Sequence, residues 1–300
     1  MTFSAQVKGE LCALPLDDLA CARAEAYGVL LFCNQFSPGG IRITTRSQDF
    51  ARRLPELFAR SFGLKFDVCP DWNSTGKLRF SLDAPQALDT ILAAYGGEAG
   101  RHTAHHINYA ALEDEGAHAA FCRGAFLAGG SVTDPQKGYH LEITTNHLHV
   151  HRELQALIPE LGVQSRTTSR KGNFITYFKR SSSIAAFLRA IGAPEAAEQI
   201  EQARKSKSVV NSVNRQYNCD VANVDKAVAA AQAQIEAIRL LERHGELNIL
   251  PASLQETARL RRENPELSLA QLATMTEPAV SKSCMNHRLR KLQELAQKFA

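Results

Sequence analysis

The spacing of apolar residues divides the chain into two kinds of segment. In residues 1–200, stretches of alternating Ile and Thr, typical of half-buried strands, are interspersed with stretches that repeat Leu at helical spacing. In residues 252–300 only helical spacing occurs. The pattern therefore predicts an α+β domain over 1–200 and an all-α domain over 252–300, with residues 201–251 between them.

The α+β domain has an internal repeat. The segment IRITTRSQDFARRLPEL, starting at Ile41, matches LEITTNHLHVHRELQAL, starting at Leu141. Gly28 and Gly124 also correspond, at a similar offset. We expect two halves, divided near residue 100, so about 1–100 and 101–200. Each half is predicted to contain an Ala- and Gly-containing helix, a strand, a helix, a hairpin and a closing helix. The second hairpin is the clearest, because SRKGN places a Lys-Gly turn between β-branched and aromatic runs.

The net charge of +4 is small, but its distribution is uneven. Residues 161–194 and 202–219 contain no acidic side chain. Such local basic surface suits contact with phosphate, although a solvated face with acids nearby in space is the alternative. The corresponding cations of the first half are expected to be neutralised by Asp67, Asp71 and Asp83. Any DNA binding by this domain should therefore be asymmetric, with most contacts from the second half. The candidate phosphate contacts are Arg166, Arg170, Lys171, Lys179, Arg180 and Arg215.

The last fifty residues predict a helix-turn-helix. Two capping boxes, Ser253 to Glu256 and Ser268 to Gln271, start helices near 253–263 and 268–275. A third helix follows the segment TEPAV, with its apolar residues toward the core. Its other residues suit base and phosphate contact, although an ordinary amphipathic terminal helix would also have a polar face. The candidate DNA contacts are Ser281, Lys282, Ser283, Asn286, His287, Arg288 and Arg290.

The segment between the two domains predicts a basic polar linker and then a connector helix. Asp220 is a candidate cap for this helix, and Gly245 follows its predicted end near His244. The connector is expected to pack on one side.

Composition excludes several classes of protein. With 44% hydrophobic and 22% charged residues, the chain is neither disordered nor collagen-like. No apolar run approaches the ~20 residues of a membrane-spanning helix, and the N-terminal residues do not read as a secretory signal. Seven scattered cysteines indicate reduced thiols rather than disulfides or a zinc finger. We therefore expect a cytoplasmic location and no membrane partner.

Two groups of histidines invite a metal-site interpretation. The first group, in the second half, is His147, His149 and His151. By the repeat it corresponds to residues from Ser47 onward, at the start of a helix, where alternate side chains point in different directions, so no metal is predicted. The second group lies between the halves and is expected to be solvated; it is His102, His105 and His106.

The helix that opens each half carries a resemblance. The segment from Cys122 to Pro135, CRGAFLAGGSVTDP, resembles the LAGLIDADG helix of homing endonucleases. The segment from Ala24 to Phe36, AEAYGVLLFCNQF, resembles a degenerate copy of the same helix. The resemblance implies two helices packed through small residues across a pseudo-twofold axis, and a concave saddle of twisted sheets over duplex DNA. The family's metal-binding acids fall at Cys33 and Gly129, neither of which supplies a hard oxygen ligand. We expect no catalytic residue, no metal and no cofactor.

Three longer segments together resemble the WhiA family of bacterial regulators. They are GAFLAGGSVTDPQKGYHLEI, NRQYNCDVAN and SKSCMNHRLRKL. The resemblance implies a nucleoid-associated transcription regulator that binds double-stranded DNA, mainly through its helix-turn-helix. It ties that role to cell division, chromosome segregation and, where it occurs, sporulation. Two alternatives remain: a non-enzymatic scaffold that holds a protein partner at the saddle, with incidental DNA binding, and a residual endonuclease.

Overall fold

A computed structural model describes residues 2–37, 39–72, 76–96 and 105–299. The chain divides into two compact units, Met1–Lys207 and Ser208–Ala300. None of the helices in these described ranges is long and apolar enough to cross a membrane.

The first unit contains two successive sets of helices and strands. The first set comprises α1 (Phe3–Cys12), α2 (Leu19–Phe32), β1 (Gln35–Ser37), β2 (Gly40–Thr45), α3 (Gln48–Phe62), β3 (Leu78–Leu82) and α4 (Pro85–Ala94). The second comprises α5 (Ala117–Gly129), β4 (Gly130–Val132), β5 (Leu141–Thr145), α6 (Leu148–Leu157), β6 (Arg166–Arg170), β7 (Asn173–Phe178) and α7 (Ser181–Ile191). The helices beyond are α8 (Pro194–Arg243), α9 (Ala252–Glu263), α10 (Leu269–Thr274) and α11 (Lys282–Ala296).

The predicted duplication is visible in the strand pairing. The sheets have the orders β1-β2-β3 and β4-β5-β7-β6, and all neighbouring strands are antiparallel. Thr45 lies opposite Leu78 in the first sheet, as Thr145 lies opposite Phe174 in the second. The two halves therefore share one register, in which residue 78 corresponds to residue 174.

The hairpin predictions had different outcomes in the two halves. In the second half, β6 and β7 are joined through Lys171 and Gly172, both with positive φ, as the Lys-Gly turn predicts. In the described part of the first half, β3 has only an isolated bridge from Val68 to Ser81 in place of a second hairpin strand. Helix α1, which was not predicted, adds the fully buried Val7 and Leu11 to the core.

Helices α2 and α5 cross at the centre of the first unit with almost no space between their backbones. A Cβ atom on Gly28 would lie 2.1 Å from the carbonyl oxygen of Phe121, and one on Gly124 would lie 2.0 Å from that of Glu25. The two clashes are equivalent under the repeat, because residue 25 corresponds to residue 121. Only glycine permits this approach, so the close packing expected from the sequence is confirmed.

A buried ion network lies beside this crossing. The Glu25 carboxylate is fully buried and accepts hydrogen bonds from Arg53 Nε at 2.6 Å and from Arg123 Nε at 2.7 Å. Burial alone would lower the pKa of Arg53, but the hydrogen bonds and charge of Glu25 outweigh it and raise that pKa. The charge on Glu25 is thus compensated where it would otherwise be costly.

The segment before the C-terminal helices differs from the prediction. Helix α8 runs without interruption from Pro194 to Arg243, so the expected linker is helical and Asp220 is not its cap. Asp220 instead accepts hydrogen bonds from the Gln216 side chain, at 3.1 and 3.3 Å. No proline or glycine lies between Pro194 and Gly245 to break the helix, and Gly245 is left-handed, as its position after the helix predicts.

The C-terminal unit has the predicted three-helix arrangement around its own core. Side chains from α9, α10 and α11 meet Ile238 and Leu241 of α8, so this end of the connector packs on one side, as expected. The capping box of Ser268 and Gln271 is present. The one predicted at Ser253 is absent because α9 begins one residue earlier, after Pro251, which places Ser253 inside the first turn.

Of the histidines between the halves, His106 is exposed as expected, whereas His105 is half-buried. The His105 ring stacks on Phe36 and lies 4.4 Å, between centroids, from the ring of His147. Burial lowers the pKa of both imidazoles. His151 turns inward and bonds Thr176, so the second group diverges as predicted. His102 lies outside the described residues.

Candidate nucleic-acid interface

Helix α11 is positioned by its own sequence. The Ser281 hydroxyl accepts a hydrogen bond from the backbone N–H of Cys284 at 3.1 Å and so caps the helix. On the inner face, the apolar side chains expected in the core are buried against α9 and α10; they are Met285, Leu289, Leu292 and Ala296. The remaining face of α11 is therefore free to meet a ligand.

Four of the predicted DNA contacts share this outer face. Asn286, His287 and Arg290 lie three, four and seven residues after Ser283, which places all four on one side of the helix. All are exposed except Asn286, which is half-buried. Lys282 is exposed at the edge of the face, in the first turn. Neither Lys282 nor Arg290 has a carboxylate partner among the described residues, so both charges are available to DNA.

Arg288 is the exception among the predicted contacts of α11. It lies on the flank of the helix and is half-buried, and its Nη1 atom is buried without a hydrogen-bond partner in the described structure. The sequence analysis counted it among the DNA contacts, but part of its guanidinium is shielded from solvent. Arg288 is therefore less accessible to a duplex than Arg290.

A second group of predicted contacts lies on the outer face of the β4–β7 sheet. The strand register places Arg166 opposite Tyr177, and alternation along the strands puts Arg170 and Lys179 on the same face. Every residue of β6 is exposed, so this hairpin stands open to solvent. Arg170 has a distant ionic contact, 3.9 Å from Glu142 Oε1, whereas Arg166 and Lys179 have none in the described residues.

Arg166, Lys179 and Arg180 also line a common cavity. It has a volume of about 530 Å³ and includes hydroxyls from Ser182 and Ser183, at the start of α7. Arg180 is the N-cap residue of that helix. Three cations and two hydroxyls around one cavity suit a backbone phosphate of DNA. Lys171 lies apart from it in the hairpin turn, and Arg215 lies in the other unit, exposed on α8.

The outer face of the first sheet holds cations that sequence reasoning missed or discounted. Arg42 and Arg79 are exposed on adjacent strands and have no ionic partner in the described ranges. No acid is ion-paired with Arg79 in the part of the chain described, and the Asp67 carboxylate instead accepts hydrogen bonds from the backbone N–H groups of Asp83 and Ala84, at 2.6 and 3.1 Å. Strand alternation could have placed both arginines outward, since their neighbours in sequence are apolar.

Cys33 and Gly129, the two positions that correspond to metal-binding acids, have different surroundings. The Cys33 thiol donates to backbone carbonyls of Leu30 and Gln35, and burial raises the pKa of Cys33 to about 12. A Cβ atom on Gly129 would lie 2.5 Å from the carbonyl oxygen of Thr144. No group of three His, Cys, Asp or Glu side chains able to hold a metal ion occurs in the part of the chain described.

Comparisons with known proteins agree over the whole chain. The model described as the WhiA LAGLIDADG-like domain matches residues 118–210, and that of the WhiA C-terminal HTH domain matches residues 213–296. A protein from Ruminiclostridium cellulolyticum named "Probable cell division protein WhiA" is 36% identical, with 100% of this chain and 98% of that protein covered. One of the same name from Alkaliphilus oremlandii is 34% identical at the same coverage.

A solved structure is similar as well. The crystal structure of full-length DUF199/WhiA from Thermatoga maritima has a TM-score of 0.60 and 23% identity, and the match covers 100% of this chain and 99% of that one. This likeness supports the fold: a LAGLIDADG-like domain followed by a helical helix-turn-helix domain.

Proposed function

The chain belongs to the WhiA family, and from that premise we propose that it is a sequence-specific DNA-binding transcription regulator of cell division. The finer roles in chromosome segregation and, where it occurs, sporulation are part of the proposal. They are supported by membership of the family, whereas the names of the relatives give cell division alone. The proposed role requires no enzymatic activity.

The observation that carries the proposal is the outer face of α11. A capped helix presents polar residues of the types that pair with base edges, and its exposed cations Lys282 and Arg290 have no carboxylate partner in the described structure. Arg pairs with guanine and Asn with adenine in the major groove. We assign base readout to Ser283, Asn286, His287 and Arg290, and phosphate contact to Lys282 and to the Ser281 hydroxyl.

The basic face of the second sheet is the proposed secondary contact. Phosphate contacts fix position and add affinity without reading sequence. Arg166, Lys179 and Arg180 supply them around one cavity. Loss of nuclease activity is supported by the neutral, half-buried Cys33 and by the absence of space for a side chain at Gly129.

The first experiment recovers and sequences genomic fragments bound by the full chain at ~0.15 M salt. Enrichment of a common short sequence is expected for a sequence-specific regulator. Uniform recovery, or none, would contradict the proposal and favour a scaffold that binds another protein.

A duplex containing the enriched sequence then tests the assignment of α11. The variant Lys282→Ala/Arg290→Ala should lose at least tenfold in affinity, because one bidentate base contact contributes about 1–3 kcal/mol and each lost phosphate contact weakens binding further. The control is Arg239→Ala/Arg259→Ala, which removes the same charge from exposed arginines already paired with Glu236 and Glu263. Equal affinities of the two double variants would reject the assigned helix.

A further inference from the structure

The middle of helix α8 is exposed on every side. From Ser208 to Ala230, each side chain that the structure describes is exposed, although a helix in a globular unit normally buries one face. The segment SVVNSVNRQYNCDVANVDKAVAA contains four Asn and six Val residues, which are poorer helix formers than Ala, Leu, Glu or Lys. Helix propensity therefore does not account for the choice of residues here.

One face of this segment has a distinct chemistry. Asn214, Arg215 and Asn218 lie three, four and seven residues after Asn211, and the four residues form what we call the amide face. None of these four side chains has a hydrogen-bond or ionic partner within the described structure. The face ends at Asp225, two turns beyond Asn218, and no carboxylate lies among its members. An ordinary solvated helix face would mix charges of both signs and pair them.

We propose that the amide face enters the major groove of duplex DNA and contacts base edges, as a reading surface in addition to α11. An Asn side chain presents a donor and an acceptor together, which matches the N6 and N7 positions of adenine, and Arg matches guanine or a phosphate. This inference rests on the proposed function, because it requires the chain to be a DNA-binding protein.

The dimensions of the face fit this assignment. Asn211 and Asn218 are seven residues apart, or about 10.5 Å along the helix axis. Base pairs stack at about 3.4 Å, so the face covers roughly three base steps. Neutral amides gain little from the overall charge of DNA, and their contribution must therefore come from particular bases. The amide face is thus expected to affect selectivity more than general affinity.

The test compares the full chain with the variant Asn211→Ala/Asn214→Ala/Asn218→Ala. Two duplexes are used, the enriched genomic sequence and a scrambled sequence of the same composition. Alanine favours helix, so circular dichroism should show unchanged helicity. The control is Asn223→Ala, which removes the same amide from another face of the same helix.

The triple variant should bind the enriched duplex at least tenfold more weakly and the scrambled duplex within threefold of the wild type. Arg215→Ala should reduce the slope of affinity against salt by about one. If the triple variant keeps wild-type affinity for both duplexes while Lys282→Ala/Arg290→Ala loses it, the amide face is not a DNA site and the proposed function stands. If the wild type does not discriminate between the duplexes, the proposed function fails as well.

Discussion

The substitution Gly124→Ala is the sharpest probe of the helix crossing in the first unit. The added Cβ would lie 2.0 Å from the carbonyl oxygen of Glu25 and 2.9 Å from the amide nitrogen of Val29. Both are backbone atoms of α2, and no side-chain rotation can relieve the overlap. Cβ atoms essentially never lie within 3.0 Å of another heavy atom, so the two helices must separate by roughly 1 Å.

The cost follows from this separation. Overpacking of a tight core typically costs about 1–3 kcal/mol, and a clash between backbones falls at the upper end. A gap of about 1 Å also weakens the dispersion contacts along the rest of the crossing. Alanine regains up to about 1 kcal/mol through its helix propensity. We expect the free energy of unfolding of the first unit to fall by roughly 2–3 kcal/mol.

The single tryptophan makes the measurement specific to that unit. Trp72 lies in the first unit, with its ring against Phe80. Its fluorescence should report a urea midpoint lower by about 1 M for Gly124→Ala, given a denaturant dependence of about 2–3 kcal/mol per M. The control is Gly138→Ala, whose Cβ would have no atom within 4 Å. Equal midpoints for the two variants would refute the steric argument.

Two further predictions concern acid and metal. Burial lowers the pKa of His105 and His147, so below about pH 6.5 the unfolded chain binds more protons than the folded one, and the free energy of unfolding should fall as pH decreases. Urea midpoints followed by tryptophan fluorescence should show this decline, and His147→Gln should flatten it; an equally steep decline in the variant would contradict the cause assigned. In Mg²⁺, neither the wild type nor Cys33→Asp/Gly129→Asp should nick supercoiled plasmid, because position 129 has no space for a carboxylate. Magnesium-dependent nicking by either protein would contradict this prediction.

Patterns that repeat or that directly specify a local geometry predicted the structure well. The Gly28 and Gly124 pair, the Lys171-Gly172 turn and the Ser268 capping box each fix a geometry through one or two residues. The correspondence between the halves predicted that the same order of helices and strands occurs twice, and the strand pairing shows a shared register. In these cases the residue type itself carries the constraint.

Helix-capping signals were less reliable, because their effect depends on whether the preceding residues already form a helix. Asp220 and Ser253 are both good caps in isolation, yet each lies inside a helix that starts earlier. A capping residue can start a helix only where the preceding residues cannot continue one. Before Asp220 nothing interrupts the helix, and before Ser253 the residue Pro251 already begins it.

Charge counted along the chain was also an incomplete guide to the candidate interface. It identified Arg166 and Lys179, which do share a sheet face, but it discounted Arg79 because acids lie nearby in sequence. One of those acids, Asp67, bonds backbone N–H groups. Such a local hydrogen bond cannot be read from a count of charges.

The fusion of the two halves into one polypeptide gives them a freedom that two identical subunits would lack. The shared register sets Asp83 where the second half has Lys179, and Ala84 where it has Arg180, while Arg79 stands where the second half has Ile175. In a homodimer every such exchange would occur on both sides of the axis at once. Within one chain, each half can be changed alone, so a symmetric scaffold can evolve toward an asymmetric target without losing the crossing that holds it together.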